Sequence, residues 1–182
     1  MPRKKTFQVL REAKKLGAYS EMPMLPEDIQ VQLHLSRNDR SQPFHSIFGD
    51  DTLLLAMSGA AEVEFRAVSV ERFSLKPGDC VYVPAGTPHR IVPAHESVML
   101  RYVPQPPGLE AMAWFCEGCG TELHREVWDA AASLSQDMYP AVGARFAADL
   151  AARTCKSCGA VHPAPDLVPF RWAEAAQEIR AG

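Results

Sequence analysis

Chemistry in this chain of 182 residues is concentrated in two places: a pair of cysteine clusters and a histidine framed by glycine and proline. Cys116-Glu-Gly-Cys119-Gly and Cys155-Lys-Ser-Cys158-Gly are two C-x2-C-G turns. Such a turn brings two thiolates to one ion, and the glycine relieves the backbone after the second sulfur. Two turns supply four thiolates, a closed tetrahedral set suited to Zn(II) or iron. A closed set leaves no position for substrate, so the expected role is structural. The segment between the pairs, 120–154, is longer than a zinc ribbon needs and is expected to loop out with its own helix.

The histidine ends the stretch Gly78–His89, GDCVYVPAGTPH, which spells G-x5-P-x-G-x2-H. Pro77-Gly78 and Pro84-Ala85-Gly86 are turns on either side of a short strand, Cys80–Val83. His89 therefore re-enters a sheet at a fixed place, which is a way to aim an imidazole at a metal. The remaining cysteine, Cys80, lies in that strand and reads as a small buried apolar residue.

The elements that must position these groups read mainly as β. Ile29–Leu35 alternates apolar with polar, Thr52–Met57 is apolar up to a turn at Ser58-Gly59, and Ala61–Phe65 alternates again. Val68–Leu75, Cys80–Val83, Arg90–Val92 and Val98–Val103 complete about eight short strands with regular turn signals, the pattern of a sandwich or barrel. Ahead of them, Phe7, Leu10, Ala13 and Leu16 recur at helical spacing and Gly17 stops the helix. Pro104–Gly108 marks a composition change and the expected boundary between a barrel unit, 1–107, and an extension, 108–182. Beyond it the chain is alanine-rich and reads as helical, with helices expected over Ala141–Ala152 and Pro169–Arg180.

Composition narrows the partners. A net charge of −3 and a pI near 6.1 give no electrostatic case for nucleic acid. The basic run Pro2–Lys5, with Arg11, Lys14 and Lys15, reads as a solvated helix. No stretch approaches the ~20 apolar residues of a membrane span, and no secretory signal pattern is present, so a cytoplasmic protein is expected. That compartment keeps thiols reduced, which favours metal over disulfides for the cysteines.

The histidine motif resembles the second signature motif of the cupins, small double-stranded β-barrels (jelly rolls) that hold one metal ion. Barrel and cysteine tail together resemble the bacterial 3-hydroxyanthranilate 3,4-dioxygenases, single cupins with a rubredoxin-like four-cysteine site. The resemblance rests on Trp114-Phe115-Cys116-x2-Cys119-Gly, Leu123-His124-Arg125 and Cys155-x2-Cys158-Gly-x-Val161-His162-Pro163, with His45, Gly59, Gly78, Pro84 and His89 anchoring the barrel. It implies a mainly β cupin barrel with a small C-terminal helical extension, Fe(II) in the barrel, and Fe or Zn at Cys116, Cys119, Cys155 and Cys158. It also implies ring cleavage of an aminophenol or related small aromatic acid by O2.

Carried onto this chain, the resemblance assigns iron to His45, His89 and a carboxylate. Six residues forward from His45 stands Asp51; seven back from Gly59 stands Thr52. With Asp51 the ligand set closes; with Thr52 a neutral hydroxyl faces the metal. The substrate clamp departs further: its first arginine falls on Arg40 or Arg37, its second on Pro93, and its glutamate on Tyr102 beside Arg101. His34 reads as a pocket residue or, more cheaply, as an outward-facing one, and His95 reads as solvated. His124 and His162 read as neighbours of the cysteine site, Glu62 and Glu64 as one exposed strand face. Trp114, Trp128 and Trp172 are expected to anchor tail to barrel.

Two functions follow from different classes. One is a non-haem Fe(II) extradiol-type dioxygenase with an altered substrate; the other is a degenerate cupin that binds a small molecule or partner and keeps only the cysteine metal. A homodimer is expected in either case, since a barrel edge strand favours pairing.

Overall fold

The computed structural model describes residues 9–17, 21–24 and 30–181. Phe7, Ile29 and the basic run Pro2–Lys5 lie outside the described residues. The elements are α1 (Val9–Ala13), β1 (Met22–Pro23), β2 (Val31–Asn38), β3 (His45–Phe48), β4 (Thr52–Ser58) and β5 (Ala61–Phe65). Then come β6 (Arg72–Leu75), β7 (Cys80–Val83), β8 (His89–Pro93), β9 (Ser97–Pro104), β10 (Leu109–Phe115) and β11 (Glu122–Asp129). The chain closes with α2 (Ser135–Ala148), α3 (Leu150–Arg153) and α4 (Trp172–Ala181).

Two antiparallel sheets form, in the orders β1-β2-β9-β4-β7 and β11-β10-β3-β8-β5-β6. From β2 to β5 and again from β7 to β10, successive strands alternate between the two sheets. That crossing rolls the sheets face to face into a jelly-roll barrel, the cupin architecture, with small helices gathered at the C-terminal end. The barrel interior is packed by Leu54, Val63, Val81, Ile91, Met99 and Met112, all buried.

Strand β2 shows how pattern becomes position. Leu33 and Leu35 turn outward and pack with Ala13, Val98 and Leu100, where α1 covers the sheet. Its polar residues, Gln32, His34, Ser36 and Asn38, take the other phase and face the barrel interior. Val9 and Ala13 on α1, with Leu16 just beyond it, make the contact while Leu10 stands half exposed, so Ala13 and Leu16 lie where expected and Val9 takes the place of Leu10.

The expected division after residue 107 runs through a sheet. The chain past Pro104–Gly108 is not yet helical: β10 adds to β3, with Ala111 opposite Ile47 and Ala113 opposite His45. The barrel core continues without a break into Trp114, Trp128, Tyr139, Phe146 and Trp172, which is the anchoring expected of the tryptophans. Trp114 stacks on Phe146 of α2 at 4.1 Å and 13°. Such a contact contributes about 1 kcal/mol beyond the area it buries.

Candidate metal centre and the barrel interior

The two cysteine turns are copies of one backbone design. The amides of Cys116 and Cys155 donate to Thr121 and Ala160 carbonyls, both at 2.8 Å. The amides of Gly120 and Gly159 donate back to Cys116 and Cys155, again at 2.8 Å, and both glycines sit at φ +75. Side chains rarely adopt that backbone, which is why glycine follows each second cysteine. The segment between the turns holds β11, α2 and α3, so the two knuckles meet only because those elements fold back.

The four sulfurs lie within 4.8 Å of one another, with Cys116–Cys158 and Cys119–Cys155 at 3.5 Å. A tetrahedral ion with ~2.3 Å bonds to sulfur sets its ligands about 3.8 Å apart. The donor set therefore fits one ion. Hydrogen bonds with Thr121, through its side chain and backbone, draw the Cys119 thiol down to about 6. Cys158, against the pull of the Ala160 backbone, is pushed up to about 12 by the other three sulfurs, so four thiolates need a cation among them.

Inside the barrel a different centre forms. His89 is fully buried, and its Nδ1–H donates to the Thr87 carbonyl at 3.0 Å. Its Nε2 accepts from the Arg101 guanidinium at 2.7 Å. Arg101, also buried, donates through Nε to Glu21 at 2.9 Å and lies 4.5 Å above the Phe48 ring. His34 Nδ1 stands 3.8 Å from the second Glu21 oxygen, and the Gln136 amide donates to the Glu21 carbonyl. Burial opposes ionisation of Glu21, but the Arg101 charge and His34 hold its carboxyl at about 2. Burial, together with Arg101, pulls His89 down to about 3, so it is a neutral imidazole.

The expected iron ligands do not assemble. Ser46, not His45, pairs with His89 across β3 and β8, and paired side chains share a face. His45 thus points to the opposite side of the sheet, packing on Phe115 at 4.9 Å. Asp51 is exposed, its carboxylate accepting from the Ala85 amide at 2.9 Å, while Thr52 turns inward and is buried. Among the described residues, the four cysteines are the one group of three or more His, Cys, Asp or Glu side chains gathered closely enough for an ion. An Fe(II) set of His45, Asp51 and His89 does not fit this geometry: one ligand lies across the sheet, one at the surface, and the third is engaged by a cation.

The clamp residues are displaced as well. Arg40 is at the surface bonded to Asp39, and Arg37 bonds Glu96. Tyr102 faces outward and its neighbour Arg101 faces in. Three further readings change. His34 belongs to the interior, Glu64 is buried between Arg90 and Arg72, and Cys80 is exposed. His124 and His162 pack on Phe146, at 5.8 and 5.6 Å, beside the tail core. The sequence signal for Arg101 was a lone charge inside the apolar run Val98–Val103. Nothing in the sequence marks Glu21 as its partner, eighty residues away.

Comparison with known proteins returns the same lineage as the motifs. The chain is 34% identical over 123 residues to a protein of Ruegeria pomeroyi named 3-hydroxyanthranilate 3,4-dioxygenase, covering 66% of this chain and 62% of that one. A protein of the same name from Xanthomonas oryzae is 29% identical over 94 residues, 50% of this chain and 52% of its own. The chain thus spans between half and two thirds of the length of these relatives. No family model matches. A crystal structure of hydroquinone 1,2-dioxygenase from Sphingomonas sp. TTNP3 aligns at TM-score 0.49 and 15% identity, over 54% of this chain and 72% of that one. A cupin-2 domain protein from Shewanella frigidimarina aligns at 0.48 and 17%, over 56% and 96%.

Proposed function

We propose that this chain is a cupin of the 3-hydroxyanthranilate dioxygenase type that has exchanged its catalytic metal for an internal ion pair. On this reading it serves as a small-molecule binding protein stapled by one ion at Cys116, Cys119, Cys155 and Cys158. The observation that carries the reading is the hydrogen bond from Arg101 to Nε2 of His89. A guanidinium stays protonated at any working pH, so it occupies the imidazole lone pair and repels a second cation. The experiment is metal analysis of protein prepared with iron available, followed by oxygen uptake with a panel of aminophenols. One ion per chain and no uptake support the proposal; two ions with uptake overturn it.

A second reading is favoured by the 34% identity to a relative named as a dioxygenase. Here the chain is a non-haem Fe(II) oxygenase acting on a small aromatic acid with O2, and it would hold the iron with ligands other than His45 and Asp51, which lie across the sheet and at the surface. The same oxygen-uptake measurement decides between the two.

The tail ion is proposed to be zinc or rubredoxin-like iron; a visible absorption band distinguishes iron from the spectrally silent zinc. No helix among the described residues is long and apolar enough to cross a membrane. Cysteines that gather for a metal rather than pair in disulfides fit the reducing cytoplasm. A homodimer is proposed through the outer strip Val31, Leu53, Tyr82 and Tyr102, each more than a third exposed, and sedimentation at two concentrations tests it.

A further inference from the structure

The side of the sheet to which His45 turns holds a cavity of 280 Å³, walled by barrel on one side and by the tail on the other. His45, Arg66, Arg90 and Phe115 line it from the barrel, and His162 and Pro163, just beyond the second cysteine knuckle, close it. Two buried polar atoms in this lining have no hydrogen-bond partner, His45 Nε2 and Arg66 Nε. Such atoms cost free energy unless something meets them, and a cavity of this size admits a small molecule.

The lining states what that molecule must offer. One ring nitrogen of His45 bonds the backbone of Ala113, its neighbour across β3 and β10, in the sense that favours a protonated ring, as an N–H donating to a carbonyl does, so Nε2 is left as an acceptor. It calls for a donor on the ligand. The Arg66 Nε–H calls for an acceptor. Glu64 is shared between Arg90 at 2.6 Å and Arg72 at 3.1 Å, leaving that trio with a net positive charge. Glu71 stands 3.8 Å from Arg66, a loose pairing at an exposed carboxylate. The lining acids, Glu117 and Asp166, are exposed and lie toward solvent, whereas both arginines are less than a third exposed. Trp114 and Phe115 add flat apolar surface.

We propose that this cavity binds a small planar monocarboxylate bearing a hydroxyl, the carboxylate on Arg66 and Arg90 and the hydroxyl donating to His45 Nε2. The site lies across the sheet from His89 and does not depend on what the barrel interior holds. Because one wall belongs to the tail, occupancy is tied to the cysteine metal.

The test uses the full, metal-loaded chain with 3-hydroxybenzoate as probe and benzoate and phenol as its two truncations, read by calorimetry and by tryptophan fluorescence. The expected result is saturable binding of one 3-hydroxybenzoate per chain, about tenfold tighter than either truncation, because each leaves one side of the site unpaired. Arg66→Gln should weaken 3-hydroxybenzoate about tenfold. His45→Leu should erase its advantage over benzoate. Trp114→Phe should remove the fluorescence change while the heat of binding persists, with circular dichroism checking that each variant is folded. No saturable heat in the wild-type chain overturns the proposal. So does equal affinity for 3-hydroxybenzoate and benzoate, or binding unchanged in both His45→Leu and Arg66→Gln.

Discussion

The barrel interior and the cysteine tail were built from comparable clues, and they behave differently. Each cysteine turn carries its own geometry: two local backbone hydrogen bonds and a glycine at φ +75 place two sulfurs, whatever strand follows. The barrel site depends on β3, β4 and β8 arriving in one particular register. There the period is two, so a one-residue slip sends a side chain to the opposite face. Ser46 stands beside His89 where a ligand would be needed, and His45 is on the far side. A site held by a local turn survives insertions elsewhere, and a site held by strand register does not.

The largest effect should come from the tail. Cys155→Ser, or chelation, is expected to release the ion and unfold the extension, since a structural site of this kind contributes on the order of 10 kcal/mol. Metal content and thermal unfolding read it, and an unchanged melting point would show that the four sulfurs are idle. Next is the interior pair. Arg101→Met alone strands a buried Glu21 and should cost about 3–5 kcal/mol, whereas Glu21→Gln with Arg101→Met should recover most of it. Urea denaturation measures both, and a double variant as unstable as the single one would remove the ion pair from the account.

Acid sharpens the same contrast. His45 is lowered to about 2 and His89 to about 3, burial being the leading cause in each. The unfolded chain then binds more protons below the ordinary value of 6.5, so stability is complete above 6.5 and falls as pH drops toward 3. Each ring should contribute roughly 2 kcal/mol of loss between pH 7 and pH 5. Urea midpoints across that range check the slope; a flat profile would mean the rings are solvated. The smallest effect belongs to Asp51→Ala. Its carboxylate is exposed and accepts from the Ala85 amide and the Tyr82 hydroxyl, both near solvent, so about 1 kcal/mol is expected, with no change in metal content. A lost ion in that variant would restore Asp51 to the barrel site.

Much of the fold was legible because strands and turns are local statements. The alternation of β2 and β5 and the framed strand at Cys80–Val83 each appear where the residues predict them. Strand β10 was not foreseen, since Ala111–Phe115 is a continuous apolar run that periodicity cannot tell from a buried helix, and neither was β11, whose residues Glu122–Asp129 are mostly polar. His34 was misjudged because its strand buries both faces, one under α1 and one in the barrel.

What the sequence determined by itself is the two cysteine turns, each written in consecutive residues, and the β character of residues 31–104; that the turns meet as a quartet rests on the fold of β11, α2 and α3 between them. Only the tertiary structure decided which face each interior residue takes. It set Arg101 and Glu21 against His89, sent His45 to a cavity of its own, and turned Asp51 to the surface. Those outcomes depend on pairings between strands far apart in the chain, and a shift of one residue in any of them would reverse the result.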